Sequence, residues 1–163
     1  MKIRPYKSSD FDEIKTWVNT KRIHALWCAN LIKYPLEKIN FENILKGNND
    51  APFTAVKGNK IAGFFCYSFN SNAKEIKLKF IILSPEFRGK GYGKELVSLA
   101  VKNAFENKAE SVQLNVFDNN TQAKNCYLRS GFSERVITEN VFCFENEIWD
   151  RCNMVIKKSM NKN

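Results

Sequence analysis

The spacing of apolar residues divides the first third of the chain into segments with two different periods. A short extended segment at residues 2–6 predicts a strand. Three segments follow in which apolar residues recur every three or four positions, which is typical of helices with one buried face. These segments lie within residues 9–18, 23–32 and 36–45. We therefore expect one strand followed by a helical region.

The middle of the chain has the pattern of consecutive strands. Residues 53–57 and 61–69 are apolar and aromatic runs separated by Gly58-Asn59, a pair that favours a hairpin turn. A second turn is predicted at Asn70-Ser71-Asn72. Beyond it, residues 75–80 alternate between charged and apolar side chains and continue into the apolar run 80–83, which predicts a third, buried strand.

The second half of the chain alternates between the two periods. It predicts, in order, a helix with its apolar stripe at residues 96–105, a strand at 112–116, a helix at 121–130, and two strands at 132–144 and 148–156. Strands and helices in this order indicate a mixed sheet flanked by helices.

A glycine-rich loop joins the strand that ends at Leu83 to the next helix. Gly89, Gly91 and Gly93 stand at alternate positions there. Glycine lets backbone N–H groups converge without interference from a Cβ atom, and the first turn of a helix adds unpaired donors and a positive dipole end. The loop therefore predicts an anion site, with phosphate as the natural ligand.

Two familiar phosphate loops are excluded by counting residues. The dinucleotide fingerprint G-x-G-x-x-G needs a glycine where this chain has Lys94 or, two positions later, Leu96. The P-loop needs four residues between its glycines and a Ser or Thr after its lysine. Here only three residues separate Gly89 from Gly93, and Glu95 follows Lys94.

The loop does fit a third pattern, in which Gln or Arg is followed by two residues, a Gly, one residue, and then Gly or Ala. Residues 88–93 have this order and resemble the acetyl-CoA loop of the GNAT superfamily of N-acetyltransferases. A second GNAT signature is resembled by Asn120, Ala123, Lys124, Tyr127, Gly131 and Phe132. The resemblance implies an α/β (α+β) fold with a mixed, mainly antiparallel, roughly seven-stranded sheet flanked by helices. In that fold the two central strands splay apart to hold the cofactor.

The resemblance also implies acetyl-CoA as the co-substrate and a set of residues that bind it. The loop amides would surround the pyrophosphate, and the backbone at the end of the preceding strand would pair with the pantetheine arm. The expected cofactor-binding residues are Ile81, Ile82, Leu83, Arg88, Gly89, Lys90, Gly91, Tyr92, Gly93, Lys94, Asn120, Lys124 and Tyr127.

Three of these residues have alternative interpretations. Tyr127 is cast as the catalytic general acid that protonates the departing CoA thiolate, and its alternative is a core tyrosine. Asn120 is equally suited to cap a helix, and Lys124 to be a solvated helix charge.

The resemblance does not identify a general base. Members that use a carboxylate often place Glu at positions that align with Lys77 or Asn115. The remaining acidic candidates are Glu75, Asp118 and Glu139, and a water-mediated proton path is the default hypothesis. Aromatic candidates for the acceptor side are Trp17, His24, Trp27, Tyr34 and Trp149.

Composition narrows the class of protein further. With 163 residues, 44% of them hydrophobic, we expect a single domain over residues 1–157 and a frayed tail over 158–163. No apolar run approaches the ~18 residues that would cross a bilayer, and residues 1–5 have no signal-peptide core behind them, so we expect a cytoplasmic protein without membrane contact. One histidine and five scattered cysteines predict no metal site.

The net charge of +9 adds nucleic-acid binding as an alternative function. It is disfavoured, because the lysines are spread along the chain and a phosphate-bearing co-substrate itself calls for positive charge. The first hypothesis is acetyl transfer to a primary amine, with a small molecule favoured over a protein N-terminus. The others are a non-catalytic acyl-CoA-binding module and a basic nucleic-acid-binding protein. A monomer and a homodimer both stay open.

Overall fold

A computed structural model describes residues 1–48, 50–69 and 74–159. Its strands are β1 (Lys2–Pro5), β2 (Ala51–Lys57), β3 (Lys60–Phe69), β4 (Glu75–Leu83), β5 (Ser111–Phe117), β6 (Ser133–Phe144) and β7 (Glu147–Lys157). Its α-helices are α1 (Phe11–Thr16), α2 (Lys21–Cys28), α3 (Lys38–Gly47), α4 (Tyr92–Glu106) and α5 (Thr121–Arg129). Short 3-10 turns at Ser8–Asp10 and Pro85–Phe87 precede α1 and the glycine loop.

The strands form one sheet in the order β1-β2-β3-β4-β5-β7-β6. All neighbouring strands are antiparallel except β4 and β5, which run parallel. The β4–β5 connection contains α4, as expected of a parallel crossover. The predicted mixed, mainly antiparallel, seven-stranded sheet is thereby confirmed.

Most predicted turns and helix ends agree with the structure, and one differs. Gly58 makes the β2–β3 turn with a φ of +59°. The apolar period predicted within residues 23–32 is helical only as far as Cys28, because Ala29 and Asn30 adopt left-handed backbone that ends α2. Ile32 is still buried, from a loop. The predicted turn at 70–72 and residues 160–163 of the predicted tail lie outside the described residues.

Two hydrophobic cores cover the two faces of the sheet. One lies under α4 and includes the buried β4 residues Ile76 and Leu78. The other lies under α1, α2 and α3 and includes Phe80 and Ile82 of the same strand. Strand β4 therefore contributes to both cores, and its buried side chains change faces between Leu78 and Phe80.

None of the helices in the described ranges is long and apolar enough to span a membrane.

Candidate active site

Strands β4 and β5 pair only at one end and then diverge. Their register runs from Glu75 opposite Ser111 to Lys77 opposite Gln113. Beyond that point β5 continues to pair with β7, and residues 78–83 of β4 pair only with β3. The divergence leaves one edge of β4 free of strand partners, as the resemblance implied.

A cleft of about 460 Å³ opens where the strands diverge, and we call it the loop cleft. The end of β4, the glycine loop and the facing sides of α4 and α5 form its walls. Its polar and charged lining residues are Arg88, Lys94, Asn120, Gln122, Asn125, Tyr127 and Arg129.

The backbone of the glycine loop presents a row of free donors to this cleft. Arg88 N donates to Pro85 O, and Glu95 N donates to Gly91 O. Between them, the six amides of residues 89–94 donate to no other described residue. A row of unpaired backbone donors at the start of a helix is suited to an anionic ligand.

The structure requires glycine at the three loop positions for two different reasons. Gly89 and Gly91 have φ values of +72° and +84°, a region that L side chains rarely adopt. Gly93 has no such φ, but a Cβ atom there would lie 3.2 Å from Cys126 Sγ on α5. The first two therefore shape the loop, while the third lets α4 and α5 approach each other.

Side chains of the loop residues divide between the cleft and the surface. Arg88 lines the cleft, and its Nε donates to Leu83 O at 2.9 Å, which ties the loop to the end of β4. Lys90 Nζ donates to Glu86 O, and Tyr92 packs edge-on against Phe87. Neither the Lys90 nor the Tyr92 side chain lines the cleft, so any part they take in binding is through their amides.

An irregularity in β4 accompanies the free edge. Two residues of β4, Phe80 and Ile81, face the single residue Phe65 of β3, and Phe80 has a φ of +54°. A bulge of this kind bends a strand and re-aims the following residues. A glycine within a strand is a sequence signal of a bulge, and there is none next to Phe80. The bulge was therefore not predicted from the sequence.

Asn120 and Lys124 have different surroundings although both lie on one signature. Asn120 lines the loop cleft and also caps α5, its Oδ1 accepting from Ala123 N at 3.4 Å. Lys124 Nζ pairs with Asp118 and, at 2.7 Å, with Glu134, and its side chain does not line the cleft. Asn120 therefore caps α5 and also lies at the cleft, where it could contact a ligand. Lys124 is held by its two acidic neighbours instead.

Tyr127 lies where the loop cleft meets a second groove. It is 8% exposed and lines both spaces. Burial raises the pKa of the Tyr127 phenol above its ordinary value, so the hydroxyl stays protonated at neutral pH. Its hydroxyl makes no hydrogen bond with any other residue in the described ranges. A free, protonated donor at this junction is what a general acid requires.

The second space runs along α2, and we call it the α2 groove. It has a lobe of about 240 Å³ beside Tyr127 and a further lobe of about 330 Å³. Both lobes are lined by Leu26 and Trp27 of α2, by Lys79 and Phe80 of β4, and by Asn115 of β5. The further lobe adds Lys77 and Arg151.

The acidic candidates for a general base do not line either space. Glu75 is engaged by Arg135, and Asp118 by Lys124. Glu139 is exposed on β6. Lys77 and Asn115, at the positions where a Glu was sought, do lie in the α2 groove.

Of the five aromatic candidates for the acceptor side, Trp27 alone lines the α2 groove. Trp17 and Trp149 are core residues, and His24 is fully buried. Burial lowers the pKa of the His24 imidazole, which disfavours its charged form. The Tyr34 hydroxyl donates to Asn19 O.

Sequence reasoning missed several lining residues. Gln122, Asn125, Cys126 and Arg129 stand at positions i, i+3, i+4 and i+7, which places them on one face of α5, the face that borders the loop cleft. This spacing could have identified them from the sequence, because α5 begins directly after Asn120, which was already a candidate cofactor-binding residue. Arg151 had no such signal, since β7 reaches the α2 groove only through its pairing with β5.

Comparison with known proteins agrees with this architecture. A family model described as "Acetyltransferase (GNAT) family" matches residues 13–132, and the chain therefore belongs to the GNAT acetyltransferase family. The spermidine N-acetyltransferase from Vibrio cholerae, solved in complex with CoA and spermine, has a TM-score of 0.82 at 21% identity over 96% of this chain and 94% of that chain. The ribosomal-protein-alanine N-acetyltransferase from Brucella melitensis has a TM-score of 0.76 at 18% identity over 97% of this chain and 100% of that chain. At these identities the two structures share the fold with this protein.

Proposed function

We propose that this protein transfers the acetyl group of acetyl-CoA to a primary amine of a small molecule. One observation carries the proposal: six free backbone amides, residues 89–94, stand at one end of a cleft whose other end meets a second groove at Tyr127. An elongated donor bound at the amides and an acceptor bound in the α2 groove would meet beside this phenol.

The loop cleft suits the phosphates and the pantetheine arm of CoA. The free amides supply oriented donors, and Arg88, Lys94 and Arg129 add three positive charges along the lining. Ile81, Ile82 and Leu83 lie beyond the point where β4 pairs with β5, so the backbone groups that face this unpaired edge are available to the pantetheine amides.

Tyr127 would act as the general acid of the reaction. The thioester supplies an acyl carbon that an amine attacks, and the C–S bond breaks as the N–C bond forms. Tyr127 would give its proton to the departing sulfur. Burial raises the pKa of the phenol, which keeps it protonated until the sulfur departs, and the same burial disfavours a naked thiolate beside it, which favours proton transfer to the sulfur. The phenolate then regains its proton from water.

Removal of the proton from the acceptor amine is assigned to water. Among the described residues, no carboxylate lines the loop cleft or the α2 groove. Arg88 in the lobe beside Tyr127 and Lys77 and Arg151 in the further lobe make the groove positive, and nearby positive charge lowers the pKa of an ammonium group. A neutral, nucleophilic amine is therefore favoured without a dedicated base.

The size of the groove supports a small acceptor over a protein N-terminus. The lobe beside Tyr127 measures about 240 Å³ and is closed on one side by Ile23, Leu26 and Trp27. This volume lies just below the range of about 300 to 1,000 Å³ typical of small-molecule sites, so this lobe would hold only a small acceptor amine.

Release of free CoA thiol, followed with a panel of amines, tests the proposal. We expect Tyr127→Phe to lower kcat by about 100-fold or more, with CoA affinity within about threefold of the unsubstituted protein. Tyr34→Phe is a matched control, because that hydroxyl bonds Asn19 O away from the loop cleft, and it should leave kcat unchanged.

Two outcomes would contradict the proposal. An unchanged kcat in Tyr127→Phe would remove Tyr127 from its role as the acid. Tight CoA binding with no thiol release for any amine would instead favour the non-catalytic acyl-CoA-binding module. Binding of DNA or RNA that weakens steeply with salt would support the third hypothesis.

A further inference from the structure

The charged residues that line the α2 groove all have one sign. Lys79 and Arg88 line the lobe beside Tyr127, and Lys77, Lys79 and Arg151 line the further lobe. No Asp or Glu within the described ranges lines either lobe. The remaining lining is mostly apolar, with Leu26, Leu31, Trp27, Phe80 and Phe117 among its residues.

Of these four cations, Lys79 alone is paired with an acidic side chain among the described residues, and Lys77, Arg88 and Arg151 are not. Lys79 Nζ lies 2.7 Å from Asp50 Oδ2, whose side chain is fully buried, so this pair adds little net charge to the groove. Lys77 and Arg151 have no acidic partner within the described part of the chain. They reach the groove from two different strands, β4 and β7.

The two unpaired cations of the further lobe, Lys77 and Arg151, lie near each other. Burial lowers the pKa of Lys77, and the neighbouring charges of Lys79 and Arg151 lower it further. Lys77 is half-buried beside the exposed Arg151, so the two like charges repel each other without a counter-ion, and an anion between them would relieve this repulsion. An Arg guanidinium and a Lys ammonium are the usual partners of carboxylate and phosphate groups.

We infer that the acceptor is an amine that also carries an anionic group, a carboxylate or a phosphate, and that Lys77 and Arg151 bind this group. The inference rests on the proposed function, since it concerns the second substrate of the same site. The amine would point toward Tyr127 and the anionic group toward the further lobe, with an apolar body against Trp27 and Phe80.

The same charges argue against a polyamine. The structural neighbour from Vibrio cholerae is bound to spermine, which carries several positive charges. A polycation in the α2 groove would face Lys77 and Arg151 with no carboxylate lining it among the described residues. Like charges brought together in a partly dry site repel each other more strongly than in water.

The position of Lys77 also offers a reason why this chain has a lysine where some family members have a glutamate. A Glu sought at this position as a base would place negative charge in the groove. Lys77 reverses that sign at the same point of the strand. The residue that left the base unassigned therefore becomes a determinant of acceptor specificity.

Matched acceptors that differ in charge test the inference. We would measure kcat/KM for CoA thiol release with leucine and leucinamide, with γ-aminobutyrate and butylamine, and with aminopropylphosphonate and spermidine. Comparison of γ-aminobutyrate with aminopropylphosphonate separates carboxylate from phosphate-type recognition. In the unsubstituted protein, kcat/KM for leucine or γ-aminobutyrate should exceed that for leucinamide or butylamine, which lack the anionic group, by about tenfold or more. The kcat/KM of the best anionic acceptor should also exceed that of spermidine.

Substitution of the two cations should remove this preference. Lys77→Gln and Arg151→Gln should each lower kcat/KM for the anionic acceptor by about tenfold and change it by less than about twofold for the uncharged partner. Lys77→Glu should move the preference toward spermidine. Lys15→Gln, which removes an exposed charge on α1, should leave the ratio unchanged. CoA affinity, set by the loop cleft, reports that each variant is folded.

The possible failures are distinguishable. Thiol release with an unchanged ratio in Lys77→Gln and Arg151→Gln, or a preference of the unsubstituted protein for spermidine, would overturn this inference and leave the proposed function intact. Absence of thiol release with every amine would contradict the proposed function itself.

Discussion

The loop cleft and the α2 groove meet at Tyr127, yet they are built in different ways. The loop cleft offers backbone amides from one continuous stretch, residues 89–94, with α4 and α5 beside it. The α2 groove offers side chains from α2, β4, β5 and β7, which are far apart in the sequence. One side of the site is thus defined by local backbone geometry and the other by long-range assembly.

This difference matters for specificity. A row of amides accepts any ligand with suitably placed phosphate oxygens and depends little on side-chain identity, apart from the glycines that shape it. A groove of side chains changes its ligand with one substitution. The donor side is therefore expected to be common to many family members, while under our inference Lys77 and Arg151 would set which amine this protein acetylates.

The largest effect on stability is expected at Asp10, which precedes α1 and bonds side chains of β1 and β2. Asp10 is 3% exposed, and its carboxylate accepts from Arg4 at 2.7 and 2.8 Å, from Lys7 N and from Thr54 Oγ1. Asp10→Asn should lower the free energy of unfolding by about 3 kcal/mol at neutral pH, because it leaves Arg4 without its partner. Chemical denaturation measures this. Asp12→Asn, an exposed neighbour, should change it by less than about 0.5 kcal/mol.

The same substitution should have a pH dependence of known sign. Burial alone would raise the pKa of Asp10, but the hydrogen bonds from Arg4, Lys7 and Thr54 outweigh it, and the pKa in the folded state lies below its ordinary value of 3.8. Asp10 therefore stabilises the fold fully above that value and loses the effect as the pH falls through the folded-state pKa. The difference between Asp10→Asn and the unsubstituted protein should narrow below about pH 4. A difference independent of pH would contradict the argument.

On the loop side, the conformation of one glycine should have the largest effect on binding. Gly91→Val should weaken CoA binding by about 100-fold, because a β-branched residue at a φ of +84° forces the loop out of shape and displaces its amides. A clash is not the cause, since a Cβ atom there has no neighbour within 4 Å. Isothermal titration with CoA measures the loss.

Gly58→Val provides the matched control for the loop. Gly58 also has a positive φ, +59°, with no neighbour within 4 Å of a Cβ atom, but it lies in the β2–β3 turn. It should lose a similar amount of stability and bind CoA normally. Equal loss of CoA affinity in both variants would show that strain anywhere in the fold, and not the loop amides, governs binding.

The two regions also differed in how much could be predicted from the sequence. The glycines between a strand and a helix have a local cause, so the loop and its ligand class were predictable from residues 88–94. The order of strands and helices followed from their periods for the same reason. The α2 groove was not predictable, because it depends on where β7 inserts beside β5 and on the bulge at Phe80. Neither leaves a mark in the local pattern of apolar residues.

A smaller loss of stability is expected from adding a methyl group at Gly63, where β3 packs closely against α4 and β4. A Cβ atom on Gly63 of β3 would lie 2.8 Å from Leu96 Cδ2 of α4 and 3.0 Å from Ile82 O of β4. Gly63→Ala should cost about 2 kcal/mol, since the carbonyl belongs to the backbone and cannot turn away. Gly47→Ala, with open space around it at the end of α3, is the control and should be neutral. Thermal unfolding of the two variants compares them, and equal melting temperatures would contradict the packing argument.

The smallest effect separates two roles of a single side chain in the loop cleft. Asn120 Oδ1 accepts from Ala123 N as the cap of α5, which leaves the Asn120 amide N–H₂ group free to donate into the cleft. Asn120→Ala should lose both roles, with about 1 kcal/mol of stability and several-fold of CoA affinity. Asn120→Ser keeps an oxygen that can cap the helix, so it should restore stability and still bind CoA several-fold more weakly.

Denaturation and CoA titration on the same pair of Asn120 variants decide between the roles. If Asn120→Ser restores CoA affinity together with stability, Asn120 acts only by holding the start of α5. If stability returns and affinity does not, its amide is a donor to the ligand. The second result would show that the loop cleft, although built mainly from backbone amides, also depends on a side chain from the far signature. The loop cleft and the α2 groove would then differ only in how many side chains contact the ligand, and not in whether side chains contact it.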